Sequence, residues 1–136
     1  MSGKVDGVDH LSSPIELSLP GDSRYMRLAR LMASGVASAC GLPLEEVEDF
    51  RIVVDEICAT LIEAGGGEPL TLVFHTAGDV LVVEGRTRDV GKGPNQDRLA
   101  LSHQILAVVT EVHDFHQLDG EMVFTATTRL RSSGVG

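Results

Sequence analysis

The sequence has no tryptophan, one tyrosine and four phenylalanines among 136 residues, so the aromatic faces on which single-stranded bases stack are nearly missing. It also lacks any run of lysine or arginine. With 11 basic against 20 acidic residues and a formal charge of -9, there is no phosphate-tracking patch, and direct nucleic-acid binding is not expected. Only two cysteines occur, Cys40 and Cys58, both in apolar surroundings, where a disulfide scaffold would be cysteine-dense. They read as buried thiols in a reducing compartment, with a bridge or a redox switch as the less favoured alternative. No stretch of 18 uncharged apolar residues exists, and the first residues, MSGKVDGVDHLSSP, have no apolar core of a signal peptide. A cytoplasmic protein that does not enter a membrane is expected.

What is present is enough for a core. The chain is 43% apolar and 23% charged, the composition of a folded domain, and its length can bury roughly two thirds of the surface the unfolded chain exposes. Residues 1–13 and 132–136 are polar or rich in small residues and read as tails around one domain over 14–131.

Ile15, Leu17 and Leu19 alternate with polar residues, which predicts a short strand closed by Pro20 and Gly21. Asp22 or Ser23 is placed to cap a helix carrying Leu28, Leu31, Met32, Val36 and Ala39, stopped at Gly41. Pro43, Glu45 and Glu46 suit the start of a second helix with a stripe at Val47, Phe50, Val54, Ile57 and Leu61, ending at Gly65. Residues 70–75 and 80–87 alternate about an Ala-Gly-Asp turn and predict a hairpin. The segment DVGKGPNQD, 89–97, predicts a loop. Leu101, Ile105, Val108 and Val112 predict a third helix, and an Asp-Gly turn at 119 and 120 leads into a last strand over 122–130. Strand, two helices, two strands, helix and strand predict an α+β two-layer sandwich: a mixed sheet with the helices on one face.

Few residues carry a chemical signal. Asp55 and Glu56 are adjacent, so on a helix they point about 100° apart and do not form a working carboxylate pair. Glu56 and Thr60, four apart, share one helix face at the edge of the stripe; an ordinary amphipathic helix explains them as well as a ligand site does. His113 and His116 have the spacing of helical metal ligands but no third ligand nearby, and ordinary histidines explain them better. Arg86 and Arg88 alternate on a strand as a solvated face would.

The stretch IELSLPGDSRYMRLARLMASGVASACGLPLEEVEDFRIVVDEICATLIEAG resembles the anti-sigma factor serine kinases, the RsbW-like branch of the GHKL (Bergerat-fold, histidine-kinase-type) ATPases. The resemblance runs from Ile15 to about Leu130. It is carried by the order of elements, the Leu-Ala-Arg of the first helix, the Gly-Leu-x-x-Glu-Glu-Val-Glu-Asp before the second, and the Asp-Glu-x-Cys at its centre. It implies a dimer that sequesters a sigma factor, binds a STAS-domain anti-anti-sigma partner and, in active members, phosphorylates a serine of that partner with ATP and Mg²⁺.

Carried over residue by residue, the resemblance makes Glu56 the base beside the attacking hydroxyl, with Thr60 standing where active members have a magnesium-binding asparagine. Threonine is shorter and lacks the carbonyl a hard cation prefers, so weak metal binding is expected. The Asp-x-Gly-x-Gly of the nucleotide pocket is reproduced at Asp89, Gly91 and Gly93, although gapless counting puts the aspartate position at Thr87. The segment QDRLALSHQIL has none of the glycines that let a phosphate lid approach its ligand. Arg30 falls on the partner-contacting arginine; from spacing alone it reads as an exposed helix residue with its stem along Tyr25 or Met26. The expectation is an anti-sigma factor with a weakened or lost ATP site. The alternatives are a working serine kinase and a two-layer regulator with neither nucleotide nor sigma partner.

Overall fold

The computed structural model describes residues 4–5, 8–9 and 11–130. Lys4–Val5 (β1) and Val8–Asp9 (β2) pair antiparallel within the stretch expected to be a tail; the tail expected over 132–136 lies outside the described residues. The main sheet comprises β3 (Ile15–Leu19), β4 (Leu70–Ala77), β5 (Val80–Arg88), β6 (Val112–Leu118) and β7 (Glu121–Arg129), in the order β3-β4-β5-β7-β6. Three α-helices complete the fold among the described residues: α1 (Met26–Ala39), preceded by a 3₁₀ turn over Ser23–Tyr25, α2 (Leu44–Gly65) and α3 (Gln96–Val109).

The expected two-layer α+β arrangement is present, but the sheet is not mixed: all four pairings in it are antiparallel. The physical reason is β6. Val112 does not extend the third helical stripe; α3 stops at Val109, and the chain turns back as a strand along β7. Asp119 and Gly120, with φ of 51° and 80°, then make the two-residue turn whose handedness matches the strand twist.

Helix α2 lies over the centre of the sheet and supplies most of the helical side of the core: Phe50, Val53, Val54, Ile57 and Leu61 are buried. They meet Leu72 and Phe74 of β4, Leu81 and Val83 of β5, and Met122, Phe124 and Ala126 of β7. The approach is close because β5 carries a glycine at its middle. A Cβ on Gly85 would stand 2.5 Å from Ile57 Cγ2 and 2.8 Å from Leu61 Cδ1, so any other residue must push these side chains, or the helix that carries them, off the sheet. On one side of α2, α1 packs through small residues, Ala29, Ala33, Val36 and Ala37, which let the two helices approach closely. On the other side α3 buries only Ser102 and Leu106. No helix among the described residues is long and apolar enough to cross a membrane.

Candidate functional site

Asp55 and Glu56 diverge as their adjacency requires. Asp55 turns toward α1, where its Oδ1 accepts a hydrogen bond from Arg30 Nε at 2.7 Å. Glu56 turns toward α3. There Ser102 Oγ donates to Glu56 Oε1 at 2.9 Å and shares a second hydrogen bond with Thr60 Oγ1 at 3.1 Å. A serine has one hydroxyl hydrogen, and it is used on the carboxylate, so the Thr60 hydroxyl must donate to Ser102. The result is a directed chain, Thr60 to Ser102 to Glu56, across the α2–α3 contact. Thr60 and Ser102 are 1% and 0% exposed, so each hydroxyl is needed to satisfy its neighbour.

Arg98, in the first turn of α3, brings Nη2 to 3.7 Å from Glu56 Oε1, and its backbone N–H is capped by Asn95 Oδ1 at 3.0 Å. Its Nε is buried without a hydrogen-bond partner. The Glu56 side chain keeps 15% of its surface open. The carboxylate is thus held by a serine hydroxyl, with a guanidinium close by, both from the segment in which the sequence shows no glycine.

Asp89 lies elsewhere in the hydrogen-bond pattern. Its Oδ1 accepts from Gly91 N at 2.9 Å, closing the turn of its own loop, and its Oδ2 accepts from Gln117 Nε2 at 3.0 Å, tying the loop to β6. Neither bond joins it to Glu56 or Thr60. Thr87, where gapless counting puts the pocket aspartate, is buried; it donates to the Pro69 carbonyl at 2.9 Å and packs against Gly65 at the end of α2. Gly91 and Gly93 take φ of 85° and 69° in the loop. A cavity of about 320 Å³ lies between Glu63 and residues Lys92, Gly93, Pro94 and Asn95; its lining does not include Glu56 or Thr60.

The Thr60 position does not suit a phosphate-bound magnesium as it is arranged. Such a cation needs only one or two protein oxygens beside its phosphates and waters, but Thr60 Oγ1 is buried under α3 and hydrogen-bonded to Ser102, which leaves it no open approach. No group of three or more His, Cys, Asp or Glu among the described residues is arranged to hold a metal ion.

Arg30 lies in different surroundings. Together with Arg27, Leu31, Ser34 and Arg51 it lines a groove of about 310 Å³ on the α1–α2 surface. Three of the 11 basic residues of a chain with charge -9 meet there. Leu31 is 69% exposed beside them, and Ile52 and Leu28 are exposed as well. The Arg30 stem therefore does more than lie along its own helix: its head group ties α1 to α2.

Cys40 and Cys58 are buried thiols not joined in a disulfide, and burial, more than the nearby Asp55 charge, pushes the Cys58 thiol up to about 12, which leaves it unreactive. His113 and His116 are not helical neighbours but lie on opposite faces of β6. His113 packs against His103 with ring centroids 4.9 Å apart, while His116 Nδ1 is 2.8 Å from Asp114 Oδ2. Sequence reasoning missed Ser102 and Arg98. The only signal for them was the helical spacing of Arg98, Leu101, Ser102 and Ile105, which gives no hint of a partner on another helix.

No family model matches the chain. Among curated proteins it is similar to serine-protein kinases RsbW. The protein of Halalkalibacterium halodurans is 31% identical over 68 residues, 48% of this chain and 42% of that protein. That of Bacillus pumilus is 41% identical over 49 residues, 36% and 30% of the two chains, and that of Bacillus subtilis is 39% identical over 49 residues, 36% and 31%. The chain therefore matches less than half the length of these relatives. Among solved structures, that of the RsbU and RsbW domains of Rv1364c from Mycobacterium tuberculosis superposes with a TM-score of 0.69 over 92% of this chain and 35% of that one, at 17% identity, a likeness of fold.

Proposed function

We propose that this chain, RsbW-like in sequence and fold, is an anti-sigma factor of a partner-switching system: it sequesters an alternative sigma factor and is antagonised by a STAS-domain anti-anti-sigma factor. It does so as a binding protein whose nucleotide site has closed on itself. The observation that carries this reading is the hydrogen-bonded chain Thr60–Ser102–Glu56, backed by Arg98, which ties to α3 the two side chains that the family resemblance would turn toward a nucleotide. In a chain of formal charge -9, Arg27, Arg30 and Arg51 meet in one groove beside the exposed Leu31, so an acidic segment with an apolar anchor for Leu31 is the partner chemistry that groove suits.

A second reading, an active kinase that phosphorylates its antagonist, is favoured by the retained and partly open carboxylate of Glu56 and by the names of the relatives. Two measurements separate the readings. Calorimetric titration with ATP and Mg²⁺ is expected to give no heat, and incubation with labelled ATP and a STAS-domain protein no phosphoserine; micromolar binding with phosphotransfer overturns the closed-site reading. Arg27→Glu, which breaks no ion pair found among the described residues, is expected to weaken sigma-factor capture at least tenfold with an unchanged melting temperature. Capture at parental strength would place the interface on another surface.

A further inference from the structure

On α1, Arg27, Arg30, Leu31 and Ser34 stand at i, i+3, i+4 and i+7 and so share one face of the helix. Arg51 reaches the same groove from α2, and these five residues line it. Four of the five carry N–H or O–H donors, and no carboxylate is among them.

Gathering three guanidinium groups in one groove works against the fold, because like charges at i and i+3 repel along α1 and Arg51 adds a third. The acids nearby relieve this only in part. Asp55 Oδ1 accepts from Arg30 Nε at 2.7 Å, which leaves the four N–H donors at the end of that guanidinium unused by the pair. Glu48 meets Arg51 through one nitrogen alone, Nη1, 3.4 Å from each carboxylate oxygen. Arg27 has no hydrogen bond or ion pair among the described residues. The groove is thus rich in donors and short of acceptors, and an anion with several oxygens is what completes it.

We propose that this groove is a receptor for a phosphate monoester: a phosphorylated side chain of a partner polypeptide, with a neighbouring apolar residue packed on Leu31. A carboxylate has two oxygens and one charge, and a single guanidinium fork satisfies it. A phosphomonoester has three free oxygens and a charge of about −1.5 to −2 at pH 7. It can take the end of Arg30 along one edge and Arg27 or Arg51 along another, and still accept from the Ser34 hydroxyl. Leu31, 69% exposed, is the reason for a polypeptide ligand, since an apolar wall offers nothing to a hydrated free ion. The formal charge of -9 disfavours the other bearer of phosphate, an anionic membrane, whose surface repels the rest of the molecule.

The proposal deepens the reading of this groove as the partner surface, but it is measured with no sigma factor present, so the two can fail separately. The full chain is titrated at low salt with a short peptide carrying one phosphoserine beside a leucine, with its glutamate and serine counterparts, and with inorganic phosphate. Calorimetry and the NMR shifts of the arginine Nε–H groups report binding. The phosphoserine peptide is expected to bind at least tenfold tighter than the glutamate peptide or inorganic phosphate, and the serine peptide to show no binding. Its affinity is expected to fall between pH 7.5 and 5.5, because the phosphoryl group takes up a proton near about pH 6, while that of the glutamate peptide stays level. Arg27→Gln and Arg51→Gln are each expected to weaken the phosphopeptide at least fivefold with an unchanged melting temperature. Absence of phosphopeptide binding, equal affinity for the glutamate peptide, or an affinity untouched by both variants overturns the proposal. Inorganic phosphate bound as tightly as the phosphopeptide assigns the groove to a free ion, and stronger binding to phosphatidylserine vesicles assigns it to a membrane; either result also overturns it.

Discussion

Helix α2 is held on its two flanks by different chemistry. Against α1 the contact is tight and almost wholly apolar, built from Ala29, Ala33, Val36 and Ala37, with one ion pair, Arg30–Asp55, at its rim. Against α3 the contact is centred on polar atoms: Ser102 stands between Glu56 and Thr60, Arg98 lies beside them, and Leu106 is the buried apolar anchor. The difference teaches where the molecule is rigid. A close alanine contact loses much if the helices separate by even an ångström, because dispersion falls steeply with distance. A hydrogen-bonded contact with one apolar anchor holds only while every member keeps its partner. The α1 flank thus fixes the arginine groove in place, and the α3 flank governs whether Glu56 is covered.

The comparison can be broken most strongly at Leu106. Leu106→Ala removes the apolar anchor of α3 and is expected to cost about 2–5 kcal/mol in urea denaturation, with α3 amides exchanging before those of α1. Ser102→Ala strikes the polar half of the same contact. It leaves the Thr60 hydroxyl and a Glu56 oxygen short of a partner and is expected to cost about 1–3 kcal/mol by the same measurement. On the opposite flank Asp55→Ala removes one member of a half-exposed ion pair. The expected loss is about 0.2–1 kcal/mol and shrinks in high salt, which a denaturation series with added NaCl checks.

The smallest effect concerns pH. Burial first, and then the neighbouring His103, hold His113 below its ordinary value of 6.5, with Asp114 opposing. The unfolded chain then binds the proton more readily than the folded one, so this group contributes stability above about pH 6.5 that is lost as pH falls through the folded value. His113→Phe is expected to flatten the dependence of the urea midpoint between pH 7.5 and 5.5; an unaltered slope would assign the dependence to other groups.

Much of the fold was legible because its signals are local. The stripe Val47, Phe50, Val54, Ile57 and Leu61 is the buried face of α2, and the Ala-Gly-Asp and Asp-Gly turns are where expected. Strand β6 was not legible. Its only partly buried residues are His113 and Phe115, so alternation is faint at an edge, and Val112 continues the spacing of Leu101, Ile105 and Val108 by coincidence, with no glycine or proline to mark the break at Thr110. That miss also made the sheet look mixed. Within the site, the divergence of Asp55 and Glu56 followed from helical geometry alone. The partner of each did not, because Ser102 and Arg30 are 46 and 25 residues away from them, and sequence spacing is silent on contacts between helices.

The notch at Gly85 bears on all of this. Ile57 and Leu61 sit in the gap left by its missing side chain, much as a key sits in a slotted shaft. A helix lodged that way is free neither to roll about its axis nor to slide along the strand. Its azimuth is therefore set by one hydrogen atom on β5. With Ile57 locked downward, the two residues before it have no choice of outlook: one acid must face the arginines and the other the serine.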